Sequence, residues 1–101
     1  MNIYETLKQT GLPCAYGTFH STQAPPFLVY IGTGQETFEA DNTTYHKSNT
    51  YQVEYYYTLK DEAMEDTIED ALVDSGWFYD KSMDTYIESD DIYLIYYQIS
   101  K

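Results

Sequence analysis

The sequence lacks arginine altogether, and its 101 residues carry five lysines against 17 acidic residues, a net charge of −12. Affinity for phosphate comes mainly from Lys and Arg, so this balance argues against a nucleic-acid clamp and against binding to anionic membranes. A single cysteine, Cys14, excludes an internal disulfide and fits a reducing compartment. No apolar run approaches the ~20 residues of a membrane span, and the first residues show no secretory signal.

Aromatic residues are abundant, and they exclude ordinary disorder. They make up 18% of the chain, and 13 of them are tyrosines. Tyrosine combines a large apolar ring with a hydroxyl that tolerates water, which suits half-buried sheet faces and protein interfaces. We predict a single domain over residues 1–101.

Hydrophobic periodicity predicts an α+β fold. Two helices are predicted, one over 2–10 capped by Asn2 and one over 61–75 capped by Asp61 and ended by Gly76. Between them we predict an extended segment and loop over 14–26, a strand over 27–31 ended by Gly32 and Gly34, a polar connection over 35–43, and strands over 44–47 and 50–58 with a turn between them. After the second helix we predict a strand over 77–79, with 86–88 as its partner or its continuation, and a final strand over 92–99. The order is therefore α-β-β-β-α-β-β. We expect two layers, with both helices on one face of a mainly antiparallel sheet of four to five strands.

Candidates for catalysis are few. Cys14, His20 and His46 are the only soft or basic side chains that could act as nucleophile or base, and the sequence has no Gly-x-Ser-x-Gly elbow. The two histidines lack the spacing of a zinc site, and Cys14 is expected to be a small buried side chain. Gly32-Thr33-Gly34 lacks the Gly-Lys-Ser/Thr that completes a phosphate loop. We predict no enzyme activity, no cofactor and no metal.

Acidic residues crowd the second half of the chain. Residues 61–91 hold twelve acids and one lysine, Lys81. Like charges four residues apart on a helix cost about 0.2–0.5 kcal/mol per pair. Two interpretations stay open: a solvated, solubilising face, or a surface that repels DNA or meets a basic partner. The candidate residues for such a surface are Asp66, Glu69, Asp70 and Asp74.

Tyrosines also fall on both faces of two predicted strands. Alternation places some of them on the inner face of the sheet, which is the ordinary position for such residues. Two helices cover only one face, however, so tyrosines on the other face are candidates for a partner interface. The interface candidates are Tyr55, Tyr56, Tyr57, Tyr96 and Tyr97.

Several short motifs spread along the chain resemble those of a known family. They include Thr10-Gly11-Leu12-Pro13, Pro25-Pro26-Phe27, Thr58-Leu59-Lys60-Asp61 and Tyr86-Ile87-Glu88-Ser89. With them, the sequence resembles the small tail-terminator or tail-completion (neck) proteins of phages and prophages with long flexible tails.

The resemblance implies a structural virion protein that forms an oligomeric ring, expected to be hexameric, at the head-proximal end of the tail tube. Such a ring stops tube polymerisation and joins the tail to the head. The implied partners are further copies of the chain, the tail-tube protein and the head–tail connector protein, and DNA passes through the ring without specific binding. The implied location is the virion neck, with the host cytoplasm during assembly. No catalytic residue is carried over.

A second hypothesis rests on the charge alone. A small acidic protein can act as a DNA mimic, presenting the carboxylates of its second helix to a basic nucleic-acid-binding protein as a duplex would present phosphates. The two hypotheses differ in what they require. The ring needs contacts between copies, whereas the mimic needs only the acidic helix.

Overall fold

The computed structural model of the protein describes residues 2–40 and 44–101, and in them two helices and six strands follow the order α-β-β-β-α-β-β-β. The helices are α1 (Ile3–Lys8) and α2 (Glu62–Asp74), and the strands are β1 (Cys14–Tyr16), β2 (Phe27–Ala40), β3 (Thr44–Tyr57), β4 (Phe78–Lys81), β5 (Thr85–Ile87) and β6 (Ile92–Ser100). The predicted α+β class, with a mainly antiparallel sheet and two helices, is confirmed. The predicted strand count and order need correction.

The sheet has the order β1-β2-β3-β6-β4, and β5 also pairs with β6. Only β1 and β2 run parallel; the other pairs are antiparallel. Strands β4 and β5 follow one another along the same side of β6, so 86–88 continues the edge that 78–81 begins. Ser82 bridges the break between them, because its N–H donates to Tyr96 O and its Oγ accepts from Tyr96 N, both at 2.8 Å.

Strands β2 and β3 form one long hairpin, which corrects three predictions. The first is that Gly32 and Gly34 end a strand; the register instead shifts between these two glycines, and Gly34 adopts a φ of 130°. The second is a polar connection over 35–43, where 35–40 continue β2 and 41–43 lie outside the described residues. The third is a turn between strands over 44–47 and 50–58; residues 44–57 instead form one unbroken strand, β3.

The far part of this hairpin projects from the sheet. Pairs from Gln35↔Asn49 to Ala40↔Thr44 lie beyond Thr50↔Ser100, the last pair between β3 and β6. We call residues 35–40 and 44–49 the hairpin arm. At about 3.3 Å per residue its six pairs extend roughly 20 Å, in keeping with a molecule 51 Å long and 25 Å across.

Capping residues define both helices as the sequence predicts. The Asn2 side chain accepts a hydrogen bond from Glu5 N at 2.8 Å, and the Asp61 side chain accepts one from Met64 N at 3.1 Å. Helix α2 ends at Gly76, which adopts a φ of 87°. Its N–H donates to Val73 O, and the next N–H, of Trp77, donates to Leu72 O, the paired bonds of a left-handed helix end.

The core lies between both helices and one face of the sheet. Ile68 and Leu72 of α2 are fully buried in one cluster with Val53, Ile95 and the neighbouring aromatic rings. Strand pairing places Val53 opposite Tyr97 and Tyr55 opposite Ile95, so these residues share the helix-covered face. Val29 and Leu94 point to the opposite face, where they are buried outside this cluster. We call that opposite side the open face.

Candidate interaction surface

Three of the five interface tyrosines are core residues. Tyr55, Tyr57 and Tyr97 are only 1%, 2% and 0% exposed, and all three belong to the core cluster. Burial and nearby charges raise the pKa of Tyr55 to about 12. The interface prediction therefore has to be corrected for these three residues, since the chain's own helices cover them.

The other two tyrosines lie on the open face. Strand alternation places Tyr56 of β3 and Tyr96 of β6 away from the helices, and both are half-buried. Tyr96 is directly opposite Glu54, and Tyr56 is directly opposite Leu94. The interface prediction remains for Tyr56 and Tyr96.

Aromatic rings build a cluster at one end of the open face. Phe27 stacks on Tyr56 with ring centroids 4.9 Å apart and an angle of 22° between the rings. Phe19, in the segment before β2, packs edge-on against Phe27 at 5.3 Å. The segment 17–26 therefore folds over this part of the sheet.

A cleft of about 500 Å³ lies between this segment and the sheet. Its lining includes the three rings of the cluster together with Val29 and Ile92. The turn before β6 contributes Asp90 and Asp91 to the lining, and the lining residues that the structure describes include no lysine, arginine or histidine. We call this space the open-face cleft; it combines an aromatic wall with acidic residues.

Glu54 lies in the middle of the open face, on the central strand β3. Its Oε1 accepts a hydrogen bond from Tyr56 OH at 2.6 Å, and its Oε2 accepts one from Gln52 Nε2 at 3.2 Å. Among the lysines whose side chains the structure describes, none lies within ion-pair distance of Glu54. The half-buried carboxylate therefore has hydrogen-bond donors beside it but no cation in this part of the chain.

Burial and nearby negative charges disfavour ionisation of the Tyr56 hydroxyl. Burial raises the pKa of Tyr56 well above its ordinary value of 10, and the hydrogen bond to Glu54 and that residue's charge raise it further. The charge of Asp90 acts in the same direction, although it lies on a different turn. Glu54 is bonded to this phenol, and Asp90 lines the same cleft as Tyr56, so this end of the open face is acidic as well as aromatic.

The acidic surface predicted on the second helix is present in part. Asp66, Asp70 and Asp74 are exposed on α2, each one helical turn from the next. Glu69 does not belong with them, because it is half-buried and its Oε2 lies 2.7 Å from Lys81 Nζ. Tyr97 OH also donates to Glu69 at 2.7 Å. Of the four predicted residues, the three aspartates are therefore the exposed ones.

A buried carboxylate that the sequence analysis missed sits on the inner side of the same helix. The Glu65 side chain is 2% exposed, and two lysines contact it: Lys60 Nζ lies 2.7 Å from Oε2, and Lys81 Nζ lies 2.8 Å from Oε1. Lys60 also reaches Asp84 at 2.9 Å. The sequence does contain a pattern that predicts this burial, because Glu65 precedes Ile68 by three residues and so lies on the apolar stripe of the helix.

This ion network reduces the like-charge repulsion expected within α2. Burial disfavours the charged form of Glu69, yet contacts from Lys81 and Tyr97 outweigh it, so its pKa lies below the ordinary 4.5. A hydrogen bond from Tyr57 and the contact with Lys60 likewise lower the pKa of Asp84. The network connects α2 with strands β3, β4 and β6.

The catalytic candidates do not come together in the described part of the chain. Cys14 is half-buried, and burial raises the pKa of its thiol. His20 is exposed, and the side chain of His46 lies outside the described residues. Among residues 2–34 and 49–101 no group of three or more His, Cys, Asp or Glu side chains is placed to hold a metal ion. No helix of the described ranges is both long and apolar enough to cross a bilayer.

The sequence matches no protein-family model and has no significant match among curated proteins. The resemblance to tail-completion proteins therefore stays a prediction that rests on the motifs described above.

Proposed function

We propose that this protein is a structural subunit that assembles with copies of itself, as a tail-terminator or tail-completion ring of a tailed phage. The observation that supports this most is the hairpin arm. A two-stranded hairpin is marginally stable alone in water, and three or more strands or a packed face are needed for independent stability. An arm of this length is therefore best explained by a surface on another molecule that pairs with it or packs against it.

The two edges of the sheet support the same proposal. Strand β1 at one edge carries no charged residue, and its Tyr16 is 58% exposed. Strand β4 at the other edge also carries Asp80 and Lys81, but it exposes the large apolar side chain of Phe78 to 76%. Uncharged or apolar sheet edges favour pairing with another chain, and natural monomers usually protect them. Different edges on the two sides suit the head-to-tail contacts that close a ring.

The exposed aspartates of α2 fit a passage for DNA. In the proposed ring, Asp66, Asp70 and Asp74 line the lumen, where their charge repels the phosphate backbone. DNA then passes without the counterion release that drives nonspecific binding. The flanking proteins would be the tail-tube protein on one side and the head–tail connector on the other.

The test is the mass of the protein by light scattering over about a hundredfold dilution. We expect concentration-dependent oligomers of cyclic symmetry. A variant in which residues 36–48 are replaced by Asn-Gly keeps the Gln35↔Asn49 pair and a favourable two-residue turn. It should fold but lose the oligomers. Wild-type protein that stays monomeric at every concentration, with and without tail tubes, would contradict the proposal.

The aspartate row also favours a second candidate, the acidic DNA mimic. The triple variant Asp66→Asn, Asp70→Asn, Asp74→Asn separates the two. For a mimic, it should abolish binding to a basic DNA-binding protein, and that binding should weaken steeply with salt. For a ring subunit, the same variant should assemble like the wild type.

A further inference from the structure

The open-face cleft has features that the proposed ring does not use. Its wall is the stacked pair of Phe27 and Tyr56, and its floor includes Val29 and Ile92. Asp90 contributes to the lining, and Glu54 lies next to Tyr56 at 2.6 Å from its hydroxyl. A ligand that fits this site needs an apolar or planar body and a positive charge.

We propose that the open-face cleft binds an arginine side chain from an extended segment of a different protein. The guanidinium would stack on the aromatic wall beside Tyr56 and contact the carboxylates of Glu54 and Asp90. The site does not depend on ring assembly.

Charge complementarity is the first reason for this choice of ligand. Among the side chains that the structure describes, the cleft lining contains two aspartates and no basic group, and Glu54 has hydrogen-bond donors but no lysine within 4 Å. The carboxylate bonded to Tyr56 OH and the two aspartates of the lining lower the energy of a cation placed in the cleft. An acidic ligand would meet repulsion from the same groups.

The shape of the site favours arginine over lysine. A guanidinium is planar, stacks on aromatic faces and donates several hydrogen bonds from one plane, whereas an ammonium is a compact and strongly hydrated point charge. Phe27 and Tyr56 stack on each other, so a guanidinium plane would lie against an outer face of this pair. These 101 residues contain no arginine, so the side chain has to come from outside them.

The experiment is an NMR titration of the ¹⁵N-labelled full chain with acetyl-Gly-Arg-Gly-amide at physiological salt. We expect saturable shifts at the amides of Phe19, Tyr56 and Asp90. The citrulline peptide, which is nearly isosteric but uncharged, should bind at least about tenfold more weakly, because it loses the ionic contacts. The lysine peptide should bind more weakly than the arginine peptide.

Matched variants then test whether the arginine peptide binds in the open-face cleft. Glu54→Gln with Asp90→Asn removes two charges at the cleft but keeps an acceptor for Tyr56 OH, and it should weaken binding by about three- to tenfold. Asp66→Asn with Asp70→Asn removes two charges from α2, on the other side of the sheet, and should change the affinity less than about twofold, because salt screens distant charges. Asp90 lies on an exposed turn, so the single variant Asp90→Asn should keep the fold and provides a second test.

Three results would overturn the proposal. The first is equal loss of affinity in the α2 variant and the cleft variant, which would mean a general attraction to an acidic protein. The second is equal binding of the citrulline peptide. The third is tighter binding of spermidine than of the arginine peptide in the same cleft, which would assign the site to a small cation instead of a partner segment.

Discussion

Glu65 offers the sharpest test of how this fold is held together. Its carboxylate is 2% exposed, and the lysines that neutralise it, Lys60 and Lys81, are 46% and 34% exposed. Replacing either lysine with methionine keeps the apolar stem and leaves Glu65 with the other cation. The cost in unfolding free energy should lie between that of losing a surface ion pair, about 0.2–1 kcal/mol, and that of breaking a buried ion pair, about 3–5 kcal/mol. We expect each single variant to lose about 1–2 kcal/mol of unfolding free energy.

The double variant Lys60→Met, Lys81→Met should lose more than the sum of the two. It leaves the buried carboxylate with no cation, so we expect a loss of about 4–5 kcal/mol, which is a large part of the 5–15 kcal/mol typical of a domain. Adding Glu65→Leu should then restore about 2 kcal/mol or more, because the buried charge is gone. The coupling between the lysines should be about 1–2 kcal/mol.

Urea unfolding followed by the fluorescence of Trp77 measures all four variants, since Trp77 is the single tryptophan and is 6% exposed. Two results would refute this reasoning. One is strict additivity of the lysine variants, and the other is a triple variant no more stable than the double. Either would show that Glu65 is not the residue through which the lysines act.

Three further predictions follow from the pKa shifts and from the end of α2. Folding lowers the pKa values of Glu69 and Asp84, so the stability that these residues contribute is present above their ordinary pKa values of 4.5 and 3.8. It is lost as the pH falls through the lowered pKa values of the folded state. Urea midpoints measured from pH 6 to pH 3 should therefore fall, and they should fall less in Glu69→Gln. The raised pKa of Tyr55, about 12 against an ordinary 10, contributes stability that is lost as the pH rises from 10 to 12, so absorbance at alkaline pH should show exposed tyrosines ionising first and core tyrosines only with unfolding. Gly76→Ala should cost about 1–2 kcal/mol because Gly76 has a φ of 87°, and Gly76→Asn should cost less; equal losses in a thermal melt would contradict this.

The sequence predicts best those elements whose pattern is fixed by local chemistry or by the core. Helix α2 has a capping aspartate, an apolar stripe and a terminal glycine, and all three lie where the sequence places them. The alternation over 50–58 reappears as strand β3, with Val53, Tyr55 and Tyr57 on the helix-covered face. Buried faces leave a strong signal because a shift of one residue would expose every side chain of the set.

The hairpin arm and β1 escape such reasoning for physical reasons. The arm pairs backbone with backbone beyond the last pair of β3 with β6, and residues 35–40 are mostly polar in sequence, so no hydrophobic alternation marks them as a strand. Two glycines that ordinarily end a strand here surround a bulge, where Thr33 Oγ1 bonds to Thr50 Oγ1 at 2.8 Å and accepts from Gln98 Nε2 at 2.9 Å. Strand β1 has three residues and a parallel partner that begins eleven residues later, which no local pattern encodes.

The site was predicted in outline and misplaced in detail. The sequence predicts tyrosines on two faces of the sheet, but only the exposure of each side chain in the structure assigns Tyr56 and Tyr96 to the open face and the other three to the core. Glu69 was grouped with its exposed neighbours because charge alone does not reveal a lysine twelve residues away. Glu54 lies on β3 and Asp90 lies in the turn before β6, so it is the pairing of β3 with β6 that brings both to the same end of the open face.

The position of β6 also has a consequence for how the protein is made. This strand lies between β3 and the β4–β5 edge, and it is synthesised after every other element described here. While the ribosome is still translating residues 92–100, β3 therefore has an open flank and its rings face water. Strands β4 and β5 pair only with β6, so this edge of the sheet forms once residues 92–100 have been synthesised.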